Sequence, residues 1–80
     1  MVWHQLFVKS KGQLHSWSLM KKIDNSLNYY GAIIVSSDGG PILGNDGTWE
    51  VRTEASGEEL RIVKEILKRN SLEIVREVEH

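Results

Sequence analysis

The apolar positions of this chain change period twice, from two to about 3.6 and back, which predicts the order strand, helix, strand, strand, helix, strand. Val2 to Lys9 (VWHQLFVK) is rich in aromatic and β-branched residues and reads as a first strand, broken by Lys11-Gly12. Between Ser16 and Tyr30, the residues Leu19, Met20, Ile23, Leu27 and Tyr30 fall on one helical arc about 100° wide. Lys21, Lys22, Asp24, Asn25 and Asn28 lie outside it, and Gly31 follows where a glycine closes a helix end. Local propensity opposes the helix, because Asp24, Asn25, Ser26 and Asn28 are poor interior formers. The competing reading is a hairpin turning at Lys11-Gly12, with Gln13 to Ile23 as its second strand. That alternative gives a β-rich meander with a single helix in the C-terminal half.

Ala32 to Ser37 (AIIVSS) reads as a short buried strand stopped by Asp38-Gly39-Gly40-Pro41. Thr48 to Glu54 alternates, with Trp49, Val51 and Thr53 on one side and Thr48, Glu50 and Arg52 on the other. The signals Asp38-Gly39 and Asp46-Gly47 could bracket a short extra piece at Ile42 and Leu43, confined to an edge by Pro41. Ser56 and Glu59 form a capping box ahead of the stripe Leu60, Val63, Ile66 and Leu67, and Asn70 can close that helix. Leu72 to Val78 returns to period two, with Leu72, Ile74 and Val78 predicted inward and Glu73, Val75 and Glu77 outward.

This order resembles the ferredoxin-like or split βαβ arrangement, which implies an α+β fold with a four-stranded antiparallel sheet and two helices on one face. The resemblance implies that the first and third strands are central and that one sheet face is open. With 80 residues, 40% of them hydrophobic and 26% charged, a single domain over 1–80 is expected. No apolar run approaches the roughly 20 residues of a membrane helix, and the N-terminus lacks the charged and apolar regions of a signal peptide, so a soluble cytoplasmic protein is expected. Having no cysteine, the chain has no disulfide, thiolate nucleophile or Cys-ligated zinc. The net charge of −1 divides unevenly: four lysines face two aspartates in residues 1–40, and six basic residues face nine acidic ones in 41–80. A strongly basic stripe that would make nucleic-acid binding the leading explanation is absent.

Strand parity carries the functional expectation. If Leu6 and Val8 pack under the helices, Trp3, Gln5, Phe7 and Lys9 project from the open face, joined by Arg52 from the third strand and Val75 from the last. Two outward aromatics ask for a partner, since each such ring buries about 150–250 Å². Trp17 lies off the apolar arc and is expected either to lie over the helix end or to form, with Lys21 and Lys22, an aromatic and basic patch for an acidic partner or a nucleic-acid backbone.

Leu6-Phe7-Val8-Lys9-Ser10 resembles the first-strand motif of RNA-recognition domains, which implies that Phe7 stacks on a base. The companion motif is not matched: Gly47-Thr48-Trp49-Glu50-Val51-Arg52 turns its only aromatic inward and Glu50 outward. Lys11-Gly12-Gln13-Leu14 is similar to the first turn of the ligand-binding ACT domains at Gly12 and Leu14, without the acidic residue and proline that precede the glycine there. The segment Gly39 to Gly47 lacks the Gly-Lys-Ser/Thr and helix of a phosphate loop and reads as a hairpin connection.

His4, His15 and His80 form no ligand spacing, so no metal is expected, and His4 shares the inward parity of Leu6. Ser10, Ser16, Ser18, Ser36 and Ser37 have neither an elbow motif nor an evident base and orienter. The sequence therefore predicts a non-enzymatic binding or assembly module without cofactor, a homodimer or component of a protein complex, with single-stranded nucleic acid as the alternative partner.

Overall fold

Residues 16–30, on which the two readings diverge, are largely helical in the computed structural model, which describes residues 2–37 and 48–80. Its elements are β1 (His4–Ser10), α1 (Trp17–Asn28), β2 (Ala32–Ser37), β3 (Trp49–Thr53), α2 (Gly57–Arg69) and β4 (Leu72–Glu79). The hairpin alternative and its β-rich meander are therefore set aside. Magnitudes explain why: burying Met20, Ile23 and Leu27 is worth about 1.5–3 kcal/mol each. The polar residues of α1 each cost at most about 0.7 kcal/mol in propensity. One of them also has local work, since Asp24 Oδ1 accepts the Ile34 N–H at 2.8 Å, and Ser16, the N-cap residue, accepts the Leu19 N–H on its Oγ at 3.1 Å. Gly31, at φ 82°, takes the left-handed conformation that leads the chain from α1 into β2.

The second helix forms as expected, but its capping box does not. Ser56 is the N-cap residue and makes no side-chain cap bond, and the chain enters the helix through Gly57 at φ 58°. Glu58 and Glu59 in the first turn, with Lys68 and Arg69 in the last, complement the helix dipole instead. On the exposed side Arg61 bonds Glu58 and Glu65, the latter at 3.2 Å. The hydrogen bond from Arg61, reinforced by its charge, lowers the Glu58 pKa, and the same carboxylate raises that of Arg61. A lowered carboxyl pKa favours the folded state above the unfolded value, and the benefit disappears as pH falls through the folded value. Both side chains are exposed, so salt screens the effect. An NMR titration should find the Glu58 midpoint below that of an ordinary glutamate, and Arg61→Ala should return it; a midpoint unchanged by that substitution would rule out the pair as its cause.

The four strands make one antiparallel sheet in the order β2-β3-β1-β4, with β3 and β1 in the centre. Both helices cover the same face. Beneath them Leu6, Val8, Met20, Ile23, Leu27, Ala32, Trp49, Val51, Val63, Leu67 and Leu72 form one core, packed further by Leu19, Tyr30, Ile34, Ile66 and Ile74.

Two irregularities change the parity read from the sequence. The β1–β4 register shifts between Phe7 and Val8, so that Val8 faces Ile74 but Phe7 faces Arg76 and Gln5 faces Val78. An extra residue in one strand turns every later side chain to the other face. Val78, expected inward, therefore shares the helix-free face with Arg76, and Glu77, expected outward, turns to the helix side, where Lys64 Nζ meets it at 2.8 Å. A second shift in the β2–β3 pairing falls between Ile34 and Ser36. The suggested extra strand at Ile42 and Leu43 lies outside the described residues.

Candidate functional site

Because β1 is central and its inward residues His4, Leu6 and Val8 are buried, the alternate set Trp3, Gln5, Phe7 and Lys9 lies on the side away from the helices, each half-buried. Neighbouring strands bring Glu50 and Arg52 from β3 and Arg76 and Val78 from β4 to the same face. The expected anchors Trp3 and Phe7 and the expected polar residues Gln5, Lys9 and Arg52 thus share one surface.

Their contacts are more elaborate than parity suggests. The Trp3 ring stacks on His80 with centroids 4.0 Å apart and an interplanar angle of 14°, and the Arg52 guanidinium lies 5.4 Å from its centroid. Phe7 carries Arg76 in the same way at 5.3 Å. Between the rings, Gln5 Nε2 donates to Glu50 Oε2 at 2.9 Å, Arg52 Nε donates to the same oxygen at 2.6 Å, and His80 Nε2 donates to Gln5 Oε1 at 3.0 Å. The face is therefore an aromatic pair set in a connected polar network. Beside it, Trp3, Gly31, Ile33, Arg52, Thr53 and Glu54 line a shallow groove of about 290 Å³ towards the β2 edge.

His80 and Arg76 were not among the residues singled out from sequence. Arg76 reaches this face only through the bulge, whose one trace in the sequence is the adjacent apolar pair Ile74-Val75 interrupting alternation. His80 arrives because the backbone beyond β4 pairs with that before β1: Trp3 N donates to His80 O at 3.2 Å and His80 N to Trp3 O at 2.8 Å.

Trp17, Lys21 and Lys22 lie elsewhere, on α1, and all three are exposed. Trp17 stacks loosely on the buried Trp49, centroids 6.1 Å apart, and with Met20, Lys21, Asp24 and Ile34 these rings line a cleft of about 200 Å³. Lys22 does not line that cleft. The patch is therefore not continuous with the sheet face.

Two histidines are buried. His15, buried in the β1–α1 connection, donates from Nε2 to the Asn70 carbonyl at 2.6 Å, which makes Nδ1 of the neutral ring the acceptor for the Ser10 hydroxyl at 2.7 Å. Ser10 does have a base and an orienter after all, brought together from sequence separations that no motif reveals. The orienter is a neutral carbonyl, which offers an imidazolium no countercharge. His4 is buried with Nδ1 lacking a hydrogen-bond partner among the described residues; Glu77 approaches that nitrogen at 3.6 Å and Glu79 approaches Nε2 at 3.8 Å. The carboxylates flank opposite ring atoms, so they do not converge on one ion, and among the described residues no cluster of three or more His, Cys, Asp or Glu side chains is arranged to hold a metal.

Among the described residues no helix is long and apolar enough to cross a membrane. No protein-family model, curated protein or solved structure matches this chain.

Proposed function

We propose that this chain is a non-catalytic binding and assembly module of the ferredoxin-like, split βαβ type, docking a protein partner on its helix-free sheet face, first of all a second copy of itself. The order β2-β3-β1-β4, with β1 and β3 inside, supports the fold reading. The observation that carries the functional one is the pair Trp3 and Phe7 on the central strand, half-buried and edged by Gln5, Lys9, Arg52 and Arg76. Aromatic anchors inside a polar rim are the usual energetic centre of protein interfaces. The face carries both charge signs, Lys9, Arg52 and Arg76 with Glu50 and Glu73, which suits a self-complementary contact about a two-fold axis.

Sedimentation across a concentration series tests this reading. Wild-type protein is expected to dimerise, and Trp3→Ala combined with Phe7→Ala to weaken the dimer by about tenfold or more. A wild-type chain that stays monomeric at millimolar concentration, or a double variant that associates unchanged, would overturn it.

Nucleic acid is the second reading, favoured by the guanidinium over each ring and by Lys9 alongside. The Glu50 carboxylate, which holds Arg52 at the middle of the face, works against a phosphate backbone. A low-salt gel shift with single-stranded RNA that Lys9→Ala abolishes would favour it over the protein partner.

A further inference from the structure

We propose that the contact between two copies of this chain is centred on the β4 bulge, where the Arg76 guanidinium of one copy pairs with Glu73 of the other and the reciprocal pair closes the dimer. The inference rests on the self-docking reading of the helix-free face and fixes the register of that docking. The charged side chains of the face divide into two groups. Arg52 and Glu50 satisfy each other at 2.6 Å. Lys9, Glu73 and Arg76 form no ion pair among the described residues, although Glu73 stands directly opposite Lys9 across the β1–β4 ladder.

The bulge gives this spot its shape. Because the register shifts between Phe7 and Val8, Val75 has no Cα partner on β1, and its side chain is left 48% exposed. Arg76 follows it, also exposed, with its guanidinium 5.3 Å from the centroid of the Phe7 ring. A guanidinium held against a ring keeps the N–H groups along its rim, so it can still grip a carboxylate with two parallel bonds. Glu73 and Arg76 are three residues apart, roughly 10 Å along a strand. Sheets packed face to face stand about 10 Å apart, a gap that an arginine and a glutamate span together. A two-fold axis passing between the two positions brings each Glu73 to the other copy's Arg76 and makes two equal pairs. The same axis sets the two bulges, each with its exposed Val75, against one another. Sliding one sheet along the other sets Arg76 against Lys9, or Glu73 against its own copy, and like charges then repel.

Sedimentation of charge-reversed variants tests the register separately from docking itself. Arg76→Glu and Glu73→Arg are each expected to weaken self-association by about tenfold or more, because either change makes both reciprocal pairs repulsive. An equimolar mixture of the two variants should recover the dimer, since every pair in the mixed dimer again joins opposite charges. One chain carrying both reversals should recover it too, and carries the test if a single variant does not fold. Wild-type dimers that neither reversal weakens, or losses that neither the mixture nor the double reversal recovers, overturn the register and leave the docking reading standing. A wild-type chain that stays monomeric at millimolar concentration overturns both. Retention of that monomer on single-stranded RNA, lost with Arg76→Glu, would assign the guanidinium to a phosphate instead.

Discussion

Leu6→Ala should cost about 3–4 kcal/mol and lower the melting temperature by roughly 15–25 °C, whereas Phe7→Ala, one residue along the same strand, should cost no more than about 1–2 kcal/mol. Leu6 is fully buried at the centre of the sheet, under the helices and opposite Val51. Removing its side chain there leaves a cavity bounded by strands that cannot collapse into it. Phe7 sits half-buried on the other side, with Arg76 lying over its ring. A chain of 80 residues has a total stability of roughly 4–12 kcal/mol, so the first substitution consumes a large share of it. Chemical denaturation of the two variants decides the matter. A larger loss for Phe7→Ala would mean that the roofed and open faces of the sheet have been exchanged, and equal losses that neither ring nor leucine marks an open face, which would remove the candidate surface.

What that comparison measures is legible in the sequence itself, because period-two alternation in Val2 to Lys9 leaves only two faces to choose between. The same holds for Trp49, Val51 and Thr53, all buried on the predicted side. Legibility ended where pattern and hydrogen bonding part company. The β4 bulge reverses Arg76, Glu77 and Val78, and alternation alone gave no reason to expect it beyond the doublet Ile74-Val75. Ser56 and Glu59 have the spacing of a capping box, but a positive φ at Gly57 diverts the backbone. For α1 the two signals conflicted, and burial of three apolar side chains outweighed four weak helix formers. The long-range contacts of the site, such as Gln5 with His80, join positions that no local pattern relates.

The polar network also changes what the open face can be. Bare rings would have made an indiscriminate apolar patch, whereas Trp3 lies against His80 and under Arg52, and Arg52 is held in turn by Glu50. A partner must therefore match a fixed pattern of donors and acceptors as well as bury two rings, and mismatched groups would be left unpaired on docking. On the proposed docking face, specificity would come from the Gln5–Glu50–Arg52 chain and affinity from the aromatics.

His15→Ala is expected to remove about 2–3 kcal/mol, more than most buried polar residues, because one ring ties together two connections far apart in sequence. The Ser10 hydroxyl at the end of β1 and the Asn70 carbonyl at the end of α2 are both bonded to it. Without the ring, each part-buried group loses its partner and a void opens behind them. The loss should be local as well as global: the Lys11 N–H, bonded to the Ser71 carbonyl at 2.9 Å beside the lock, should exchange faster with solvent. Ser10→Ala should be milder, since it leaves the imidazole in place and its bond to Asn70 intact. If the pair instead activated a nucleophile, Ser10 would react with a fluorophosphonate and His15→Ala would abolish the labelling while leaving stability nearly unchanged. The expected result is the opposite, a destabilised His15→Ala chain and no labelling of either protein, because the ring spends both nitrogens on tying the Ser10 hydroxyl to the Asn70 carbonyl.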